Sequence, residues 1–165
     1  MTIRKDFGAS SNSNRSKTVE VLEGTFLKAR EQYEEKKLSY LGYFYAYVAF
    51  HAEFEMNRAN FLLNVFEKLT YEEFCLLKAI SEKEKHHFLN KKLPYHIDIV
   101  LWSEVADLIQ NGLVSQQNLL VEPSGIVPAQ LSLNDYGKNF IEYFAISKVP
   151  EHDLAGILEK LEYDV

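Results

Sequence analysis

Leu131-Ser132-Leu133-Asn134-Asp135-Tyr136-Gly137 ends an apolar strand-like run and opens a helix within seven residues. Asn134 is of the residue type that caps helix N-termini, because its short side chain accepts from a first-turn amide. The helix it opens is expected to run to about Ile146. About twenty residues upstream, Asn111-Gly112-Leu113-Val114 closes an earlier helix, with Gly112 as the left-handed stop. That earlier helix is read from about Asp98 to Asn111, with Val100, Leu101, Val105, Leu108 and Ile109 inward. Between the two helices, Leu119-Leu120-Val121 and Ile126 to Leu133 flank Glu122-Pro123-Ser124-Gly125, the pattern of a hairpin.

Upstream, Thr70-Tyr71-Glu72-Glu73 is a capping box, with Leu69 and Phe74 as its hydrophobic staple. The helix it starts runs through Leu77 and Ile80 to a charged end containing His86 and His87. A polar connector, 88–97, leads on to Asp98. At the C-terminus an amphipathic helix starts near Pro150, with Leu154, Ile157, Leu158 and Leu161 on one side.

Helix, helix, Gly-Leu-Val, hairpin, Leu-Asn-x-x-Gly, helix resembles the winged-helix domains of bacterial regulators such as the MarR and PadR families. Leu133-Asn134-Asp135-Tyr136-Gly137 stands where those families carry Leu-Thr-x-x-Gly, and the resemblance covers about residues 69–146. It implies a recognition helix at 98–111, a wing in the hairpin and a closing helix after Asn134. Gly137 then lets that closing helix approach the wing. The expected fold is mainly α: a long N-terminal helical pair followed by a winged-helix-like domain with a small β-hairpin wing. Two departures stand out. No clear small helix lies between Ile80 and Asp98, and the would-be recognition helix carries Asp98, Glu104 and Asp107 with no Lys or Arg.

The N-terminal third differs in character. Residues 1–16, with Gly8-Ala9-Ser10-Ser11-Asn12-Ser13-Asn14, bury little apolar area and read as a flexible, mildly basic tail. From Lys17, Val19, Leu22, Phe26 and Leu27 recur at helical steps, followed by the charged run Arg30 to Lys37. From Leu38 to Lys68 a longer pattern steps through Leu41, Phe44, Val48, Ala52, Met56, Ala59, Leu62 and Phe66. Whether Gly42 separates it from the first helix is open, since a mid-helix glycine costs only about 1 kcal/mol. The expected division is 1–16 tail, 17–68 helical pair and dimerisation region, 69–146 winged-helix-like domain and 147–165 C-terminal helix. Tyr40, Tyr43, Phe44, Tyr47, Phe50, Phe54 and Phe61 are the interface candidates, because a 75-residue winged helix has no room for so many rings.

Charge weighs against the usual use of the resembled fold. From Leu93 to Val165 there are three Lys (138, 148, 160) and no Arg, against eleven Asp and Glu, a net of −8. Groove readers need Arg, Lys, Asn or Gln on base edges and basic groups on phosphates, whose counterion release supplies much of the affinity. The nearest cationic cluster is Lys83, Lys85, Lys91 and Lys92, interrupted by Glu82 and Glu84. It is the candidate patch of the alternative reading, a DNA-binding transcriptional regulator.

Chemical motifs are few. The seven glycines form no phosphate-cradling loop, and no nucleophile elbow is present. His51 and Glu55 share a helical face. Glu84-x-x-His87 has di-iron spacing, but such a site needs two of these pairs and two further Glu. His86, His87 and His96 have no Cys pair to complete a zinc site. Cys75, alone in Phe74-Cys75-Leu76-Leu77, reads as a small buried hydrophobe. No apolar stretch reaches the ~20 residues of a membrane span; Leu38 to Ala52 is the longest uncharged run. The expectation is a cytoplasmic, non-enzymatic interaction protein with no cofactor or metal, working as a homodimer or on a protein partner, nucleic acid being disfavoured.

Overall fold

Apolar periodicity builds most of the helices, and side-chain caps at Asp98 and Asn134 start two of them. The computed structural model describes residues 17–31, 34–51, 54–93, 98–116 and 125–162. Among these are helices α1 (Lys17–Glu31), α2 (Leu38–Phe50), α3 (Met56–Lys68), α4 (Tyr71–Ser81), α5 (Ile99–Gln110), α6 (Asp135–Phe144) and α7 (Ala155–Glu162). Strands β1 (Val114–Gln116) and β2 (Leu131–Leu133) complete the set. The protein is thus mainly helical with one small two-stranded antiparallel sheet. The expected tail at 1–16 lies outside the described residues.

Two compact units are present. The first holds the described residues up to Thr70 together with Tyr143–Ala145; the second holds Tyr71–Glu142 and the described residues from Ile146 on.

In the first unit, the pattern expected as one helix from Leu38 to Lys68 is two. His51 and Glu55 are extended, at φ −113° and −77°, and separate α2 from α3. His51 closes α2 itself: its Nδ1 lies 2.7 Å from the Tyr47 carbonyl one turn back. Periodicity misses this break because the apolar stripe resumes in step on its far side, with no Gly or Pro to mark it. Glu34 is likewise extended, so α1 and α2 are separate elements. Helix α1 packs on both α2 and α3. Gly24 comes close to Leu63, and Lys28 pairs with Glu67 four residues further along both helices, so α1 and α3 run parallel.

The core of this unit is aromatic. Phe144 stacks on Phe44 (4.4 Å between centroids) and on Phe66 (4.9 Å), and all three rings are buried. Each such ring contributes about 1.5–3 kcal/mol by leaving water. Lys37 is also buried. Its ammonium donates to the carbonyl of Leu69, the residue that ends α3, lies 3.5 Å from Glu34 Oε2, and sits 5.0 Å from the Phe66 ring. A buried ammonium needs such partners, and a helix C-terminus supplies the right sign of field.

In the second unit, α4 is buried nearly all round: Phe74, Cys75, Leu76, Leu77, Ala79 and Ile80 lie in the core. Lys78, buried among them, donates to Val149 O (2.7 Å) and Glu151 Oε1 (2.6 Å). Tyr71 donates to Asp153 at 2.7 Å. The strands pair Val114 with Leu133, Ser115 with Ser132 and Gln116 with Leu131. The expected first strand at 119–121 and the turn through Ser124 lie outside the described residues; the paired strand begins earlier, at Val114. Leu93 and Ile126 form an isolated antiparallel bridge. Gly125 permits it, since a Cβ there would meet Leu93 O at 2.4 Å. Helix α6 stops at Phe144, short of the expected Ile146, because Ala145 takes the left-handed conformation at φ 54°. A 3-10 turn, Glu151–Leu154, precedes α7 where a single helix from Pro150 was expected.

Candidate functional site

Asp98 prepares the would-be recognition helix. Its carboxylate caps α5 by accepting from the Leu101 amide at 2.9 Å, and Lys160 reaches it at 3.0 Å. Burial opposes the charged form, but the Leu101 amide and Lys160 outweigh it, so the carboxyl titrates below the usual aspartate range. A folded-state value below the unfolded one, about 3.9, adds stability above that pH. That stability is lost as pH falls through the depressed folded value. Asp98→Asn, which keeps a capping side chain, should therefore lower the urea midpoint at pH 7, with the gap to wild type narrower at pH 3, below the unfolded value of about 3.9. A gap unchanged at pH 3 would mean the charge is not what matters.

At its far end, α5 stops as a Schellman motif. Gly112 (φ 71°) donates to Ile109 O and Leu113 to Leu108 O, both at 2.9 Å. The chain then enters β1 directly. Asn134 ties this stop to the start of α6. Its Oδ1 accepts from Gly137 N at 2.8 Å, while its Nδ2 donates to Gly112 O at 2.6 Å. The cap is worth about 1 kcal/mol. Gly137 lies hard against Leu113, whose carbonyl oxygen would be 2.0 Å from any Cβ placed there. Helix end, strand and helix start form one cross-braced joint.

The solvent side of α5 is a stripe of Ile99, Val100, Ser103, Asp107 and Gln110, all exposed. Val100, expected inward, is 56% exposed, and Ile99 is 55% exposed. The buried stripe is Leu101, Val105 and Leu108, one narrow i, i+4, i+7 line that leaves Val100 outside and Ile109 at its edge. Glu104 is half-buried and titrates above the usual glutamate range: burial raises it, Lys160 pulls it back, and Glu72 and Asp98 raise it further.

The four patch lysines do not form one free cationic surface. Lys83 donates to Leu131 O on β2 at 3.0 Å, and Lys85 pairs with Glu82 at 3.2 Å. Lys91 and Lys92 are exposed. His86 Nδ1 faces Glu162 Oε1 at 3.3 Å and its ring stacks on Phe88. Among the described residues, no group of three or more His, Cys, Asp and Glu is placed to hold a metal ion; His96 lies outside them. Nor is any described helix long and apolar enough to cross a membrane.

The seven interface aromatics divide. Tyr40, Phe44 and Phe54 are core residues of the first unit and offer a partner nothing, a correction to their reading as surface. Periodicity could not separate them from their neighbours, since the aromatic run spans all sides of α2. Tyr47 and Phe50 are half-buried, while Tyr43 and Phe61 are exposed. Tyr47, Phe54 and Tyr143 pack into a ring cluster with centroids 4.7–5.9 Å apart, and His51 stacks on Tyr47 at 3.8 Å. Arg58, which no sequence motif singles out, lays its guanidinium 5.1 Å from the Tyr143 centroid and 5.6 Å from that of Phe54. The one signal in its favour is compositional: Met56 to Phe66 holds no acidic residue in an acidic chain. No protein-family model, no curated protein and no solved structure matches this chain.

Proposed function

We propose that the chain is a non-enzymatic interaction protein in which residues 69–146 form a winged-helix-like core that serves protein contacts and does not read DNA. The observation that carries this is the exposed stripe of α5. Where a groove reader presents Arg, Lys, Asn or Gln along its face, this helix presents Ile99, Val100, Ser103 and Asp107, with a single Gln, Gln110, in its last turn. Two exposed β-branched side chains on the first turn, with an acid below them, suit a partner protein's apolar groove. The joint of Gly112, Leu113, Asn134 and Gly137 supports the winged-helix comparison, because it provides the close strand-to-helix approach such a domain requires. The proposal extends to a homodimer through the N-terminal helices, for which exposed Tyr43 on α2, with Phe26 and Leu27 on α1, supplies apolar surface.

The test is fluorescence anisotropy with random duplex DNA at about 50 and about 200 mM salt, where phosphate-driven binding falls steeply. We expect no saturable binding at either. Binding at low salt that collapses at high salt, and that is lost on replacing Lys91 and Lys92 with Gln, would install the regulator reading instead. Sedimentation equilibrium of the same protein should return twice the monomer mass, and a monomer at high micromolar concentration would remove the dimer.

A further inference from the structure

The outer face of α3 presents cationic and carboxamide groups without a carboxylate among them. Ala59, Leu62, Leu63, Val65 and Phe66 turn inward, leaving Asn57, Arg58, Asn60, Phe61 and Asn64 exposed on two adjoining helical rows. Glu55 and Glu67 bracket this stretch in the sequence. Glu67 is paired with Lys28, and Glu55 makes no ion pair with Arg58 among the described residues. The overall net charge is −6, and the eleven residues Met56 to Phe66 hold one arginine and no acid.

Arg58 is the centre of the face. Its guanidinium is held over the rings of Tyr143 and Phe54, which are themselves buried and braced by Tyr47. The cation–π contact holds the guanidinium beside both rings and spends none of its N–H donors on a carboxylate. A planar donor fork already ordered by aromatic faces loses little entropy when it meets a planar acceptor pair, and the bidentate carboxylate is its geometric match. Phe61, one turn further along α3, is 56% exposed and supplies an apolar contact beside the charge. Asn57, Asn60 and Asn64 flank both residues with groups that can donate to and accept from an extended backbone. The first-turn amides of α3, where no side chain caps the helix, add positive field of the same sign.

We propose that this face of α3 docks an acidic peptide segment of a partner protein, with a carboxylate on Arg58 and an adjacent apolar side chain on Phe61. Charge complementarity selects this occupant. A second copy of this chain would bring another Arg58 to the same face, and a basic or nucleic-acid partner meets either repulsion or a single cation. The inference stands on α3 and is independent of the reading of α5.

The experiment is a titration of the isotope-labelled full-length protein with two eight-residue peptides, Glu-Leu-Glu-Leu-Glu-Leu-Glu-Leu and its Gln-for-Glu counterpart, followed by NMR. The acidic peptide should shift the Arg58 side-chain Nε–H signal and the amides of residues 57–64, and the Gln peptide should leave them in place. Arg58→Lys keeps the charge but loses the fork, and should weaken binding about five- to tenfold. Phe61→Ala should weaken it as well, with the fold of both variants checked by circular dichroism. Equal shifts with both peptides, unchanged affinity in Arg58→Lys, or shifts that grow with protein concentration alone would overturn the proposal, the last in favour of self-association. Shifts confined to Ile99 and Val100 would overturn it while leaving the α5 reading intact. Competition by millimolar inorganic phosphate to the full extent of the peptide shift, with no added contribution from the peptide's leucines, would reduce the site to a simple oxyanion site and overturn peptide docking.

Discussion

Gly137→Ala is expected to destabilise the protein by about 3 kcal/mol, with its thermal midpoint falling by roughly 6–12 °C. Helix propensity alone predicts the opposite sign, since alanine is favoured over glycine in a helix by up to about 1 kcal/mol. Packing decides. The alanine Cβ would lie 2.0 Å from Leu113 O and 2.9 Å from Leu113 C, which are backbone atoms and cannot swing aside. Leu113 is also pinned, its amide donating to Leu108 O at 2.9 Å and its carbonyl accepting from Asn134 N at 3.4 Å. Relief therefore requires α6 to move as a body or the α5 stop to open. Gly42→Ala is the control, because Gly42 lies within α2 with nothing inside 4 Å of its Cβ position, and it should raise stability slightly. Thermal unfolding followed by near-ultraviolet dichroism reads both. A Gly137→Ala midpoint within about 2 °C of wild type would mean that the close approach of α6 to Leu113 does not exist in solution.

Phe144→Ala is expected to cost about 3–5 kcal/mol, the range for deleting a fully buried aromatic ring and leaving its cavity. Phe144 lies nearly parallel to Phe44, at 12°, and to Phe66, at 24°, so its loss strips one face from each of two further core rings. Phe61→Ala, on exposed surface, should change stability by less than about 1 kcal/mol. Urea unfolding monitored by far-ultraviolet dichroism separates the two. If Phe144→Ala unfolds within about 1 kcal/mol of wild type, the aromatic core of the first unit is loosely packed. A large loss in Phe61→Ala would instead mean that its surface is covered, as in a dimer.

Much of the local framework is legible in the amino-acid sequence. Asp98 and Asn134 cap the helices that follow them, and Gly112 adopts the left-handed stop that ends α5. Each acts through backbone donors and acceptors within four residues of itself, so its signal is complete in a short stretch of chain. Cys75, in its apolar run, is buried as its neighbours imply. The break at His51–Glu55 is not legible, because a stripe that stays in phase across a bend looks continuous. The exposure of Val100 is not legible either, since its helix position next to Leu101 puts it at the margin of any apolar face.

The candidate sites follow the same division. Sequence by itself determined that this is a mainly helical chain punctuated by caps and a glycine stop, acidic across its C-terminal half and without a local catalytic motif. Only tertiary structure decided which aromatics are core and which are surface: Phe44 and Phe54 went inside while Tyr43 and Phe61 stayed out. It alone placed Lys37 and Lys78 in the interior on carbonyl partners, spent Lys83 on Leu131, and set Arg58 over Tyr143, 85 residues away in sequence. The physical reason is range. A cap is a hydrogen bond between near neighbours, whereas burial and stacking depend on which distant residues share a core, and periodicity along one helix does not carry that information.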